Sequence, residues 1–210
     1  MKKVLFLLVV VLTASYAKAQ LKVGIQAGAG MTNMFIGNKE ASIGDATDFK
    51  PGFRIGAIAE IDNIQEFTRG SMAFQTGLLV AMQGYKKSFP VDQTFNLTYL
   101  QIPANFVFKR HFSSMKLLGQ VGPYLGYAID GKRKWEYRGE EVEEKIKFGN
   151  GKDDFMKAFD IGFGAGGGLQ FGNFQAKIEL SASMLNLSNI TYIERQNFGL
   201  SFTAAYLFGL

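Results

Sequence analysis

Phe174-Gln-Ala-Lys-Ile-Glu-Leu-Ser-Ala-Ser-Met184 sets apolar side chains at every even position and Gln175, Lys177, Glu179, Ser181 and Ser183 at the odd ones. Successive side chains of a strand point to opposite faces, so this stretch has one greasy side and one polar side. Phe198-Gly-Leu-Ser-Phe-Thr-Ala-Ala-Tyr-Leu-Phe208 repeats the pattern, with Phe198, Leu200, Phe202, Ala204, Tyr206 and Phe208 on one face. A soluble sheet and a membrane barrel both read this way. The start of the chain separates them.

Met1-Lys2-Lys3 is a positive end, Val4 to Leu12 an unbroken apolar run, and Ala17-Lys18-Ala19 a small-x-small cleavage site before Gln20. That is the pattern of a secretory signal peptide over 1–19, with an apolar core too short to cross a bilayer as a helix. The expected mature domain is 20–210, about 190 residues, within the length of one domain. Cleavage removes Lys2, Lys3 and Lys18 and leaves 20 basic against 18 acidic residues, so the formal net charge falls from +5 to +2. The basic excess is mostly an export signal and implies no nucleic-acid partner. The chain has no Cys. That excludes a disulfide framework, a thiol nucleophile and a lipidated cysteine.

After the signal, no apolar run reaches the roughly 18–20 residues of a spanning helix. Aromatics at 14%, 20 Phe, 25 Gly and only 4 Pro favour strands. Strands are expected near Leu21–Ala29, Gly52–Ile61, Ser71–Gly84, Phe95–Phe108, Met115–Ile129, Phe155–Phe171, Phe174–Leu185 and Phe198–Phe208. The fourth changes phase at Tyr99-Leu100: Phe95, Leu97 and Tyr99 share the lipid face with Leu100, Ile102, Ala104, Phe106 and Phe108 if a β-bulge intervenes. Pro103 then falls inward, near that irregularity, where a lost ladder donor is tolerated.

The connections alternate in length. Asp62–Gly70, Lys109–Ser114 and Gly172-Asn173 are short; Met31–Pro51, Tyr85–Thr94, Asp130–Asp154 and Asn186–Asn197 are all longer. Outer-membrane barrels have short periplasmic turns and longer external loops, with both termini periplasmic. Phe106, Phe108, Phe112, Phe171, Phe174, Tyr206 and Phe208 gather at the short-turn ends, and Phe95, Tyr127, Phe155, Phe159 and Phe198 at the long-loop ends. Two such belts about 25 Å apart form interfacial girdles. Hydrocarbon cannot hydrogen-bond an open sheet edge, so the sheet must close. The expected fold is an all-β, eight-stranded antiparallel transmembrane β-barrel of the outer-membrane type.

Tyr99-Leu-Gln-Ile-Pro-Ala-Asn-Phe-Val-Phe-Lys109 resembles the tyrosine–leucine–x–isoleucine–proline strand of the PorT-like outer-membrane barrels of Bacteroidetes. Gly122-Pro-Tyr-Leu-Gly-Tyr127 is similar to that family's next strand, and Phe159-Asp-Ile-Gly-Phe-Gly-Ala-Gly-Gly-Gly-Leu-Gln-Phe171 to its glycine-rich sixth. The resemblance covers essentially the whole mature chain and implies an outer-membrane location. The family's namesake is linked to protein secretion across the outer membrane. Its barrels usually finish on an aromatic residue, whereas here Gly209-Leu210 follows Phe208.

Eight strands enclose only enough space for side chains, so no open pore is expected. The inward set includes Lys22, Arg54, Glu60, Lys116, Asp160, Lys177 and Glu179, which in so narrow a space must pair with one another. Gly162, Gly164, Gly166 and Gly168 also face inward and leave room for long side chains opposite. Gly162, Gly164 and Gly167 match a G-x-G-x-x-G spacing inside a strand, where no helix opens to bind a dinucleotide, so no cofactor is implied.

Some small barrels modify lipids with a Ser–His pair at the rim. The one histidine, His111, falls in a short turn on the periplasmic side, away from surface lipid, and no enzyme is expected. Zinc coordination by His and Cys is unsupported, and Asp45 and Asp48 in the first loop are too sparse for a calcium site. The longest loop, Asp130–Asp154, is basic and aromatic first (Lys132, Arg133, Lys134, Trp135, Tyr137, Arg138) and acidic next. It is expected to fold as a hairpin, its arms pairing by charge around Gly139, and to hold whatever surface recognition the protein has. The expected partners are outer-membrane lipid and lipopolysaccharide; the loop either takes a protein partner or is a solvated arm that touches lipopolysaccharide alone. A monomer is expected.

Overall fold

In the computed structural model, residues 21–38, 44–45, 47–87, 92–137, 140–149, 151, 154–190 and 192–209 are described; the expected signal peptide lies outside them. The strands are β1 (Leu21–Asn38), β2 (Gly44–Asp45), β3 (Lys50–Phe67), β4 (Gly70–Lys87), β5 (Gln93–Phe112), β6 (Met115–Tyr137), β7 (Glu140–Lys145), β8 (Phe159–Phe171), β9 (Phe174–Ser183) and β10 (Ile193–Gly209). Each of the ring strands β1, β3, β4, β5, β6, β8, β9 and β10 pairs antiparallel with its successor, and β10 pairs back onto β1 from Lys22↔Gly209 to Asn38↔Ile193. The ring has no free edge, so every strand finds its ladder partners within the wall. β2 and β7 are short additions to β1 and β6.

The wall is inverted relative to a soluble fold. Ile25 is 62% exposed and Phe202 60%, as are Ile55, Leu78, Phe106, Phe171 and Phe208 to similar degrees, while Glu60, Gln75, Gln170 and Gln175 are fully buried. A water-soluble monomer rarely shows a contiguous apolar patch beyond a few hundred square ångströms. Here the apolar face runs round the barrel. Taking each such side chain out of water is worth roughly 1.5–3 kcal/mol, which a hydrocarbon surrounding supplies.

Three connections, Thr68-Arg69, Ser113-Ser114 and Gly172-Asn173, are two-residue turns at one end. Gly172 takes φ 56° and Ser113 φ 40°, the left-handed geometry that matches a tight hairpin to strand twist. The first two turns are shorter than the sequence indicates, because β3 and β5 continue through residues read as connection. Conversely, β8 begins at Phe159 rather than Phe155.

One expectation is overturned. Phe95, Leu97 and Tyr99 do not face lipid; they are buried inside the barrel, Phe95 being 4% exposed. β5 keeps one phase throughout. The register does shift at Thr98/Tyr99, but the extra residue is Ile129 on β6, which stands opposite neither. Inward apolar side chains are tolerated here because the long connections fold over them: Ile146, Met156 and Leu187 join Met34, Tyr85, Phe95, Leu97, Tyr99 and Ala128 in one cluster. Phe155 packs against it too and leaves the expected girdle, whereas Tyr127, Phe159 and Phe198 stay exposed.

Candidate functional site

Two regions hold the polar chemistry: the lumen and the long-loop end. In the lumen a bulge lies beside the main ion pairs. Ile61 pairs Phe74 and Gln65 pairs Met72, so Asp62, Asn63 and Ile64 oppose a single residue. Asn63 absorbs this with φ 55°, a conformation Asn adopts more readily than most residues, and Asp62 Oδ1 accepts its N–H at 3.1 Å. Asp62 keeps the inward phase of Arg54 and Glu60, so its carboxylate faces the lumen where the bulge begins. There it meets Lys22 Nζ at 2.8 Å and Lys109 Nζ at 3.0 Å, and Lys109 also binds Glu60 at 2.5 Å.

The network continues towards the long-loop end. Gln75 and Gln175 each donate to Glu60 at 3.0 Å, Lys177 donates to Gln75 and Gln120 at 2.9 Å, and Glu179 binds Arg54 at 2.7 Å and Lys177 at 3.2 Å. Asp160 is held by neutral donors: Ser183 at 2.8 Å, with Tyr124 and Asn197 both at 3.3 Å. Lys116 lies near the Glu60–Asp62–Lys109 cluster and makes no ion pair among the described residues. A Cβ at Gly162 would stand 2.2 Å from Tyr124 Cζ, so the glycine makes room for the ring that reaches Asp160. Voids of about 20 and 30 Å³ remain against these side chains, space for an isolated water or two.

Above the lumen, β6 and β7 form the charged hairpin, with Arg133↔Glu144, Lys134↔Glu143 and Trp135↔Val142 opposite each other. Lys132 and Lys134 reach Glu143 at 2.7 and 3.3 Å, and Lys134 also reaches Glu141. Hydrogen bonds from both lysines hold the Glu143 carboxyl below its ordinary value, and those carboxylates raise Lys132 and Lys134. Tyr137 ends β6, and Arg138 lies outside the described residues.

The base of the hairpin is an aromatic–guanidinium stack. Tyr85 and Phe95 stack at 4.4 Å, Phe95 and Phe155 at 5.7 Å, and Arg195 lies 4.4 Å over Phe155. Arg133 sits 5.7 Å from the Phe95 ring and 4.8 Å from Trp135, its Nε donating to Gln93 at 3.1 Å. Guanidinium planes prefer such aromatic faces, and two are fixed here by different strands.

Asp62, Lys109 and Arg195 escaped the sequence reading. The first two lie where a turn was expected. Arg195 lies in an expected loop, although continuing the alternation of Thr203, Ser201 and Asn197 back by two residues places it inward. His111 is exposed near the end of β5, its backbone N–H donating to Arg69 O at 3.0 Å. Gly162, Gly164 and Gly167 lie within β8 and open no helix.

A family model for the outer membrane protein beta-barrel domain matches residues 14–192. The chain belongs to this family. It is an outer-membrane protein, and the ring of strands is its membrane wall. Solved structures of similar fold include Ail, the attachment invasion locus protein of Yersinia pestis, 18% identical over 90% of this chain and 99% of that one, with a TM-score of 0.41. Neisserial surface protein A is 13% identical over 89% and 97%, TM-score 0.42. The outer membrane enzyme PagL is 12% identical over 86% and 97%, TM-score 0.46. At such distances no activity passes from them to this chain. No curated protein matches the sequence.

Proposed function

We propose that the protein is a non-enzymatic integral outer-membrane barrel without an open pore, whose charged hairpin and its stacked base stand above the outer leaflet for interaction at the cell surface. The observation that carries this reading is the contrast between the two ends of the ring. The lumen is filled by interlocked ion pairs and capped by the Met34–Tyr85–Phe95 cluster, which leaves it to fix register and block passage. The β6–β7 hairpin instead projects an exposed, ordered pattern of charge with Trp135 and Arg133 at its base. Short turns at one end and long connections at the other support a periplasmic position for both termini, with 1–19 removed on export.

Two other readings have specific observations behind them. The Tyr99–Lys109 motif, which forms part of β5, favours an accessory role in protein secretion of the PorT-like kind. A rim lipid enzyme would need His111, which is exposed at the short-turn end and takes no serine as a hydrogen-bond partner among the described residues. Lys132 and Lys145 pair at the foot of the hairpin, so residues 133–144 can be replaced by a two-residue turn at the cost of only the last three rungs with β5, Phe95↔Arg133 to Gln93↔Trp135. Surface binding falls in that variant while secretion is unchanged. Loss of secretion favours the accessory role, and no change in either ends the surface-interaction reading.

A further inference from the structure

The geometry points to a phosphomonoester site at the base of the hairpin, one that takes a phosphorylated sugar; this deepens the surface-interaction reading and rests on it. A cavity of about 540 Å³ opens there, lined by Arg133, Lys145, Lys147 and Arg195 together with Glu144 and Asp154. That volume lies within the range of roughly 300–1,000 Å³ found for small-molecule sites. Both carboxylates are engaged: Glu144 lies 3.8 Å from Arg133, and Asp154 accepts the Gly151 N–H at 2.8 Å. Four cations against two anions leave an excess near two positive charges, and a phosphomonoester carries about −1.5 to −2 at neutral pH.

Arg195 is the centre of the site. Its Nη1 donates to Phe155 O at 2.8 Å, its buried Nε has no hydrogen-bond partner, and it forms no ion pair among the described residues. A largely buried guanidinium without a counter-charge is costly, and a bound anion removes that cost. Stacking fixes Arg195 on Phe155 and Arg133 on Trp135, so little side-chain freedom is lost on binding. The guanidinium fork suits phosphate oxygens, and Ile146, Phe155 and Ile190 give the cavity an apolar wall for a sugar ring. The phosphate reaches the site from an outer-leaflet glycolipid or from a soluble sugar phosphate. The chemistry recognised is the same.

The purified protein in amine-oxide micelles is titrated with glucose 1-phosphate and with glucose, read by calorimetry and by the fluorescence of Trp135. In a second arm it is reconstituted beside phosphorylated or dephosphorylated lipid A, with the same fluorescence readout. At least one phosphorylated probe should bind ten-fold or more tightly than its phosphate-free counterpart, and the arm that responds names the source. Arg195→Gln should weaken that binding at least ten-fold. The exposed Lys147→Gln should weaken it about three-fold, and Arg69→Gln, exposed in the turn at the opposite end of the barrel, should change it less than two-fold. Phosphate-independent binding, no binding in either arm, or full affinity in Arg195→Gln overturns the site, and where Arg195→Gln fails to fold, full affinity in Lys147→Gln does so. Those results leave the hairpin-replacement test untouched, so failure here and failure of the surface role are told apart.

Discussion

Lys109 is the side chain on which the lumen network turns. It is fully buried, as is Glu60, and it bridges Glu60 at 2.5 Å and Asp62 at 3.0 Å. Lys109→Met keeps the length of the stem and removes the charge. Asp62 retains Lys22 at 2.8 Å, but Glu60 keeps only the amide donors of Gln75 and Gln175. Breaking a buried pair from one side costs about 3–5 kcal/mol. With two hydrogen bonds left on Glu60 the lower end applies, about 3 kcal/mol or roughly a 150-fold shift in the folding equilibrium. Glu60→Gln in the same chain removes the stranded charge and should recover at least half of that loss, the signature of direct coupling. Urea unfolding from phospholipid vesicles, with the folded fraction read from heat-modifiable gel mobility, measures both variants. A Lys109→Met protein within about 0.5 kcal/mol of wild type, or a double variant no more stable than the single, would refute the reasoning, since surface substitutions alone fall in that range.

Gly162→Ala drives a methyl to 2.2 Å from Tyr124 Cζ and should cost about 1–3 kcal/mol in the same assay; Tyr124→Leu should relieve most of it. The hairpin should respond to acid in a defined window: because Glu143 is held below its ordinary 4.5, its contribution is present above that value and lost as the pH falls through the lower folded value. Trp135 emission should therefore stay constant from neutral pH down to about 4.5 and change only below it, and Glu143→Gln should abolish the change. In planar bilayers the protein should show no stable conductance, and sustained channel openings would contradict a filled and capped lumen.

The wall was legible because its two faces differ in chemistry all the way round, and period-two alternation survives errors in strand ends. What alternation does not say is which face is wet once loops fold over the barrel. Phe95, Leu97 and Tyr99 look like lipid-facing residues, yet the cover provided by Ile146, Met156 and Leu187 comes from connections far away in sequence. Asp62 and Lys109 were hidden for a different reason: charged residues near a strand end read as turn, whereas each continues the inward phase of its own strand, Asp62 after Glu60 and Lys109 after Val107. The hairpin charges were visible as a block, but the stacking of Arg195 on Phe155 joins β10 to the connection before β8. No local pattern encodes that.

A chain without cysteine permits a clean scan. Single cysteines placed in turn from Phe198 to Phe208 on β10, each carrying a nitroxide in reconstituted bilayers, report access to oxygen in lipid and to a nickel chelate in water. Oxygen access should peak at Leu200, Phe202, Ala204 and Tyr206 and fall at Ser201, Thr203 and Ala205. A profile with no period of two, or one in which the nickel chelate reaches Phe202 freely, would contradict a membrane-embedded wall.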